Sequence, residues 1–221
     1  CVVITLKGSL MTAHLYCFGE SGNSYKVALA LTLTDWDWTP IYVDFFNGEA
    51  RSDAFKTINP MGEVPVFVDG DTTLTQSGVI LDYISSKSGK LGGKSAAERR
   101  EILRWMFWDN HKFSTQIGTT RFMLNFLPED KRPQGVVPFL QGRLTLAYRL
   151  LDEHLSGQDY LVGAALTIAD LSCCGYLFYP EPFGFNRADW PHIDAWLTRI
   201  ATHASWKGPY DLMPGSPKDR A

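Results

Sequence analysis

Residues 59–84 constrain the fold of this chain more than any other segment. Val64-Pro65 opens an apolar run, and proline is tolerated at the first residue of a strand, although it donates no ladder hydrogen bond. The Asp69-Gly70-Asp71 turn then reverses the chain, and Gln76-Ser77 precede apolar residues at helical spacing. The segment therefore predicts a β-hairpin that leads directly into a helix.

The polar start of that helix predicts an anion-binding position. Serine is a favoured N-cap residue, so we expect Ser77 to cap the helix. The unpaired backbone N–H groups of a helix N-terminus attract negative charge. A carboxylate of a ligand could therefore bind there.

The residues before the hairpin alternate between strand and helix patterns. Strands are predicted over residues 14–18 and 38–46, with a helix over residues 23–34 between them and a brief helix over residues 50–57. Together with the hairpin and its helix, this is the element order of a thioredoxin-like α/β domain.

The remaining chain is helical in pattern. Apolar residues recur at helical spacing in residues 96–116, 138–155, 167–179 and 192–203, whereas residues 208–217 are rich in proline and glycine and predict an irregular tail. A chain of 221 residues is long enough for two domains. We therefore expect an α/β thioredoxin-like N-terminal domain followed by an all-α helical-bundle C-terminal domain.

Composition argues against several classes of function. A net charge of −3 gives no support for nucleic-acid binding, and no segment approaches the ~20 apolar residues that span a bilayer. The four cysteines, two of them adjacent at Cys173-Cys174, suggest neither a disulfide framework nor a zinc site. No histidine has metal-ligand spacing. These features favour a cytoplasmic protein without a metal.

The strand-opening Val64-Pro65, followed by a hairpin and a Gln76-Ser77 helix start, resembles the glutathione site of cytosolic glutathione S-transferases. The resemblance covers nearly the whole chain, because it implies an α/β domain joined to a helical bundle. It also implies a homodimeric detoxification enzyme with glutathione as co-substrate. Such an enzyme conjugates glutathione to an electrophile or reduces a hydroperoxide with it.

The expected domain division follows from these patterns. Residues 1–10 precede Met11, which is the expected natural start, and we interpret them as an artificial or upstream extension. The glutathione-binding domain would then comprise residues 11–88, followed by a linker at 89–97. The helical domain, residues 98–221, would carry the electrophile pocket.

The turn after the first predicted strand is where the thiol of glutathione is expected to be activated. A hydroxyl or amide beside the positive end of a helix can donate to a thiolate and lower the pKa of the thiol. Ser21 and Asn23 are the candidate catalytic residues, and they resemble the serine-type enzymes of the bacterial, theta, zeta and nu groups. Alternatively, both residues only cap the helix. Cys17 stands where other classes carry a catalytic tyrosine, and we interpret it as a core residue.

The resemblance also assigns contacts to the tripeptide. Val64 would bind the cysteinyl part through its backbone, as an added strand would, with the bond to Pro65 in the cis form. Gln76 would orient the γ-glutamyl amine, although many relatives have a charged glutamate there, and Ser77 would hold the γ-glutamyl carboxylate. For the glycyl carboxylate the sequence leaves three candidates open, which are Lys56, Arg51 and Asn59.

Aromatic residues crowd the predicted helix around residues 105–113. In the family this helix faces the cleft, so the resemblance implies an electrophile pocket at Trp108, His111, Phe113 and Ser114. The core of the helical bundle is the alternative location for each of them.

Thr167 and Asp170 have the spacing of a capping box, and Leu166 and Leu171 flank it at the positions of a hydrophobic staple. This pattern predicts a helix start whose role is in folding.

Two other functions fit the same fold. One is a non-catalytic glutathione-binding or regulatory protein. The other is a zeta-like glutathione-dependent isomerase, although residues 21–27 read Ser-Gly-Asn-Ser-Tyr-Lys-Val where zeta enzymes read Ser-Ser-Cys-x-Trp-Arg-Val.

Overall fold

The structure is a computed structural model that describes residues 12–216, so the expectations for Met11 and residues 1–10 lie outside the described residues. Its strands are β1 (Ala13–Cys17), β2 (Trp38–Tyr42), β3 (Val66–Asp69) and β4 (Thr72–Thr75). Its helices are α1 (Gly22–Leu33), α2 (Asp53–Lys56), α3 (Ser77–Ser88), α4 (Ala96–Trp108), α5 (Thr115–Asn125), α6 (Val136–Leu155), α7 (Ile168–Cys174), α8 (Pro191–Ala201) and α9 (Pro209–Leu212).

The strands form one mixed sheet in the order β2-β1-β3-β4. Strand β1 pairs in parallel with β2 and antiparallel with β3, and β3 pairs antiparallel with β4 in the predicted hairpin. One face of the sheet packs on α1 and α3, and the other face packs on α2, where Val66 lies in a core with Phe55. The thioredoxin-like prediction is confirmed.

Strand β2 ends at Tyr42 rather than at residue 46. The backbone N–H of Asp44 donates to the Glu49 carboxylate (2.6 Å), and Gly48 adopts a φ of 86° in the turn that follows. A residue with a Cβ rarely adopts this φ, so glycine permits the tight turn. The chain therefore leaves the sheet early, between β2 and α2.

Helix α3 begins differently from the prediction. Gln76 rather than Ser77 is its N-cap residue, and the Gln76 side chain makes no capping hydrogen bond. Gln76 also has a φ of 68°, a conformation that costs a non-glycine residue about 1–3 kcal/mol. Ser77 is the first helical residue, so it offers a free backbone N–H at the helix start instead of a capping hydroxyl.

The predicted helix over residues 96–116 is interrupted by a π-helical segment, Asp109–Ser114, which joins α4 to α5. Side-chain hydrogen bonds bridge residues five apart: the Ser114 hydroxyl donates to Asp109 Oδ1 (2.7 Å), and the Thr115 hydroxyl donates to the Asn110 carbonyl (2.6 Å). The backbone hydrogen bonds of a π-helix join residues i and i+5, so residues five apart lie close enough for these side-chain bonds. The segment shifts which side chains of this region face outward.

The capping box at α7 is confirmed. Asp170 Oδ2 accepts from the Thr167 backbone N–H, and the Thr167 hydroxyl caps the helix start in return. The other oxygen of this buried carboxylate accepts from the Leu161 N–H (2.8 Å) and from Trp196 Nε1 (3.0 Å). Asp170 therefore joins the start of α7 to α8 as well as capping it.

The closing segment is more ordered than predicted. It contains the short helix α9 instead of being wholly irregular, and its chain contacts the α/β domain. The Lys207 carbonyl accepts from the Tyr25 hydroxyl (2.8 Å), and the Pro214 carbonyl accepts from the Gly19 N–H (2.6 Å). The end of the described chain therefore packs beside the start of α1.

Candidate active site

A cleft of about 840 Å³ lies between the two domains. The α/β domain supplies the β1–α1 turn, residues 45–51 and the chain before β3, and the helical domain supplies Asn110, α5 and Tyr176. The turn predicted to activate a thiol and the chain predicted to bind a peptide therefore line one cavity, which is the candidate active site.

Ser21 caps α1 and lies on the cleft wall, where 7% of its surface is exposed. Its Oγ accepts a hydrogen bond from the backbone N–H of Ser24 (3.1 Å) and another from the Ser24 hydroxyl (3.0 Å). Ser21 accepts both bonds, so its own hydroxyl hydrogen remains available to a group in the cleft. One side chain can therefore cap the helix and donate to a ligand.

Asn23 is the second polar group at this helix start. It lines the cleft, and its side-chain Oδ1 is buried without a hydrogen-bond partner in the described part of the chain. A buried amide oxygen without a partner is unfavourable unless a ligand or water satisfies it. The Asn23 amide is therefore available to a bound molecule.

Tyr176 is a cleft residue that the sequence analysis missed. Its ring covers the start of α1 so closely that a Cβ on Gly22 would lie 2.5 Å from ring carbons, and a Cβ on Gly118 would lie 2.9 Å from its hydroxyl. Burial raises the pKa of Tyr176, which keeps the phenol protonated at neutral pH. The contact joins three distant parts of the chain, so no local pattern indicates it.

The chain before β3 presents backbone to the cleft. The Val64-Pro65 bond is cis, as the resemblance implied; Val64 lies on the cleft wall and Pro65 is buried. No residue in the described range 12–216 forms a backbone–backbone hydrogen bond with Val64. An extended peptide could therefore pair with Val64 as an added strand does.

Gln76 and Glu63 lie together on the cleft wall. Gln76 Nε2 is 3.3 Å from Glu63 Oε2 and donates to it. Glu63 was not identified from the sequence, and its carboxylate supplies the negative charge that Gln76 lacks. Ser77 follows directly as the first residue of α3, although it is not part of the cleft wall itself.

The three candidates for a carboxylate partner are placed differently. Arg51 lies on the cleft wall, whereas Lys56 is exposed on α2 and away from that wall. The buried Asn59 donates through Nδ2 to the Glu63 carbonyl (2.7 Å) and accepts at Oδ1 from the Met61 N–H (3.1 Å). The structure therefore argues against Lys56 by position and against Asn59 because both ends of its amide hold the loop before β3.

An aromatic wall lines the apolar part of the cleft; its members are Phe18, Phe45, Phe46, Phe122 and Phe126. Phe18 stacks on Phe45 with ring centroids 4.7 Å apart, and Phe46 meets Phe126 across the domain boundary at 5.1 Å. Aromatic faces at these separations interact favourably with further rings. The cleft therefore combines a polar end with an aromatic end.

The four residues that the resemblance assigned to an electrophile pocket do not lie on the cleft wall. Trp108 stacks on the fully buried Phe113 (5.2 Å between centroids), His111 is exposed, and the Ser114 hydroxyl is buried in hydrogen bonds. None of these four residues lines the cleft, whereas their neighbours Asn110 and Thr115 do. Phe113 and Ser114 are instead buried in the helical domain, the alternative that the sequence left open, because the Phe113 ring packs on Trp108 and Tyr148 and the Ser114 hydroxyl bonds Asp109.

Other reactive groups lie outside the cleft. Cys17 is fully buried, and burial raises the pKa of its thiol to about 12, so it is a core residue as expected. Burial also raises the pKa of the Cys173 and Cys174 thiols. Over residues 12–216 no group of three or more metal-ligating side chains is found, and no helix has the length and apolarity of a membrane span.

Comparison with known proteins identifies the family. Residues 11–86 match the glutathione S-transferase N-terminal domain, and residues 115–204 match the glutathione S-transferase C-terminal domain. The crystal structure of a possible glutathione S-transferase from Rhodopseudomonas palustris superposes with a TM-score of 0.83 at 31% identity, over 90% of this chain and 98% of that one. The chain therefore belongs to the glutathione S-transferase family.

Two further relatives agree with this assignment. The crystal structure of glutathione S-transferase from Pseudomonas fluorescens superposes with a TM-score of 0.84 at 28% identity, over 90% of this chain and all of that one (100%). Glutathione S-transferase F10 of Arabidopsis thaliana is 26% identical, over 84% of this chain and 90% of that protein. Glutathione transferase function follows from this membership.

Proposed function

We propose that the protein is a serine-type glutathione transferase in which Ser21 donates its hydroxyl hydrogen to the sulfur of glutathione. The observation that supports this role most directly is the hydrogen bonding of Ser21. It accepts two bonds from Ser24 and keeps its own hydrogen free at the cleft wall. The start of α1 adds the partial positive charge of its N-terminus, so a thiolate there is stabilised and the thiol pKa is lowered. Asn23 is the second candidate donor.

The polar end of the cleft fits a zwitterionic tripeptide. The Val64 backbone, fixed by Pro65, would pair with the cysteinyl unit. Gln76 together with Glu63 would take the γ-glutamyl ammonium, and the N–H of Ser77 at the start of α3 would take the γ-glutamyl carboxylate.

Arg51 would take the glycyl carboxylate, because it is the cationic candidate that lies on the cleft wall. Each charge of the tripeptide would then meet a complementary group.

The aromatic wall would receive the electrophile or hydroperoxide. It stands in the same cleft as Ser21, so an acceptor held against it would be close to the activated sulfur. We further propose the homodimer, the detoxification role and the cytoplasmic location that this family suggests. The domain division at residues 11–88, 89–97 and 98–221 is part of the same proposal.

Ser21→Ala tests the donor role. We expect turnover with chlorodinitrobenzene to fall at least about tenfold, the scale of removing one donor from a charged centre, while glutathione affinity changes little. Ser95→Ala is the matched control, because Ser95 caps α4 and accepts from the Glu98 N–H at 3.1 Å. Both variants lose a helix cap, and only Ser21→Ala removes a hydroxyl from the cleft.

Three outcomes separate the alternatives. Turnover of Ser21→Ala equal to that of Ser95→Ala would transfer the donor role to Asn23 and contradict the proposal. A wild-type protein that is retained on immobilised glutathione but turns over neither chlorodinitrobenzene nor cumene hydroperoxide is a non-catalytic binding protein. Isomerisation without conjugation would identify a zeta-like isomerase.

A further inference from the structure

The backbone of the turn that carries Ser21 is held by the helical domain. This catalytic turn, residues 18–21, has two consecutive carbonyl groups that accept side-chain hydrogen bonds. The Tyr179 hydroxyl donates to the Gly19 carbonyl (2.6 Å), and Arg121 Nη1 donates to the Glu20 carbonyl (2.7 Å). Both donors come from residues more than 100 positions away in the sequence. The peptide planes beside Ser21 are therefore fixed from outside their own domain.

Arg121 is itself held in place on several sides. Its side chain is 2% exposed, and Nη2 donates to Glu181 Oε2 (2.6 Å) and to the Tyr210 hydroxyl (3.0 Å). The Tyr210 hydroxyl also donates to Glu181, and the guanidinium lies 4.0 Å from the centroid of the Tyr179 ring. The planar guanidinium of arginine, whose N–H donors have fixed directions, suits this arrangement better than the ammonium of a lysine on its flexible side chain.

The closing segment of the chain completes the arrangement. It supplies Tyr210 and also the Pro214 carbonyl, which accepts from the Gly19 N–H (2.6 Å). Both residues lie beyond residue 204, where the match to the C-terminal domain of the family ends. The support of the catalytic turn therefore extends past the region that defines the family.

We propose that Tyr179 and Arg121, backed by Glu181 and Tyr210, form a clamp that positions the catalytic turn for thiolate stabilisation. The inference rests on the proposed role of Ser21. The clamp binds the carbonyl oxygens of Gly19 and Glu20. It therefore prevents these partially negative oxygens from pointing toward a thiolate at the cleft wall. None of the four side chains needs to touch the sulfur, so they are positioning residues.

The chemistry of the clamp suits neutral pH. Burial raises the pKa of Tyr179 well above its usual range, so its hydroxyl remains a hydrogen-bond donor. Burial also opposes ionisation of Glu181, but hydrogen bonds from Arg121 and Tyr210 outweigh it and lower the pKa of that carboxyl. The Glu181 carboxyl is therefore ionised beside Arg121 under the conditions in which the enzyme would work.

Tyr179→Phe is the sharpest test, because it removes one hydroxyl and keeps the ring under Arg121. We expect turnover to fall about 10- to 100-fold, as it does when reacting groups are slightly misplaced. The pKa of the bound glutathione thiol, measured from thiolate absorbance in the ultraviolet, should rise. The dissociation constant of glutathione should stay within about twofold, because the tripeptide contacts lie on another wall of the cleft.

Tyr148→Phe is the matched control. Tyr148 is also buried in the helical domain (1% exposed), but its hydroxyl has no hydrogen-bond partner within residues 12–216. This variant should keep the thiol pKa and the turnover of the wild-type protein. Arg121→Lys keeps the positive charge and loses the fork, so it should raise the thiol pKa as Tyr179→Phe does.

The outcomes distinguish this inference from the proposed function. If wild-type protein does not lower the thiol pKa of bound glutathione, the proposed role of Ser21 fails. If wild-type protein lowers it and Tyr179→Phe has the same thiol pKa and turnover, the clamp is only structural and the inference is overturned. If Tyr179→Phe weakens glutathione binding as much as turnover, its effect is not positioning of the turn, and the inference is again overturned.

Discussion

Replacing Lys26 with methionine should strongly destabilise the protein, because it leaves a buried carboxylate without its counter-charge. Lys26 on α1 pairs with Asp109 of the π-helical segment at 2.6 Å, and both side chains are 1% exposed. The carboxylate also accepts from the hydroxyls of Ser114 (2.7 Å) and Ser172 (2.6 Å). This network joins α1 of the α/β domain to the helical domain.

The structure sets the magnitude of the effect. Removing one member of a buried ion pair costs about 3–5 kcal/mol of unfolding free energy. Because two serine hydroxyls still solvate Asp109, we expect Lys26→Met to lie near the lower end, at about 3 kcal/mol. Replacing both charges, as in Lys26→Met with Asp109→Leu, leaves no buried ion. The double variant should therefore be more stable than Lys26→Met alone.

Urea unfolding followed by fluorescence measures these differences. Lys90→Met is the control, because Lys90 pairs with Asp35 at 2.8 Å while both side chains are largely exposed (51% and 75%). That variant should lose less than about 1 kcal/mol. The reasoning is refuted if Lys26→Met loses no more than Lys90→Met, or if the double variant is at least as unstable as Lys26→Met alone.

Three further predictions concern other parts of the molecule. Asp170→Ala should lower the unfolding free energy, measured by urea titration, by about 3 kcal/mol or more. This exceeds the ~0.5–2 kcal/mol that a lost helix cap costs. The reason is that the buried Trp196 Nε1 and two backbone N–H groups lose their acceptor. Because folding lowers the pKa of Glu181, its ionised carboxylate stabilises the fold fully above pH 4.5, the ordinary pKa of a glutamate. This stabilisation disappears as the pH falls through the lowered pKa. The unfolding free energy of Glu181→Gln should therefore fall less with acid than that of wild-type protein. If the aromatic wall binds the acceptor, S-benzylglutathione should bind about two- to tenfold more tightly than S-cyclohexylmethylglutathione in calorimetry. Phe126→Leu should reduce this ratio of dissociation constants. An equal ratio in both proteins would show that only apolar area matters.

Much of the fold could be predicted because its signals are local. The helical spacing of residues 23–34, the Asp69-Gly70-Asp71 turn and the capping box at Thr167 and Asp170 each depend on neighbours within a few positions. In the structure the corresponding elements are α1, the β3–β4 hairpin and the start of α7. Ser21 was singled out from the same kind of local pattern, a polar residue before a helix, and its catalytic role stays a prediction.

Features that depend on distant residues could not be predicted in this way. In the π-helical segment 109–114, Asp109 and Ser114 accept hydrogen bonds from the ammonium of Lys26. Lys26 is 83 positions from Asp109 and 88 positions from Ser114 in the sequence. No local pattern therefore indicated that Phe113 and Ser114 are buried in the helical domain and do not line the cleft. Glu63 was missed for a related reason, since its proximity to Gln76 appears only once the hairpin is folded.

Two glycines beside Ser21 show how a local motif can carry information about a distant domain. A Cβ on Gly19 would lie 3.0 Å from the Gly215 carbonyl oxygen, and a Cβ on Gly22 would lie 2.5 Å from the ring of Tyr176. The sequence pattern around Ser21 was interpreted as a turn that activates a thiol, with a helix cap as the alternative, and a cap requires neither glycine. Their absent side chains instead let the helical domain and the closing segment approach the backbone closely enough to bond it. Gly19 and Gly22 are thus as much a part of the contact between domains as of the helix start, and substitutions there would separate the backbone around Ser21 from Tyr176 and from Gly215 in the closing segment.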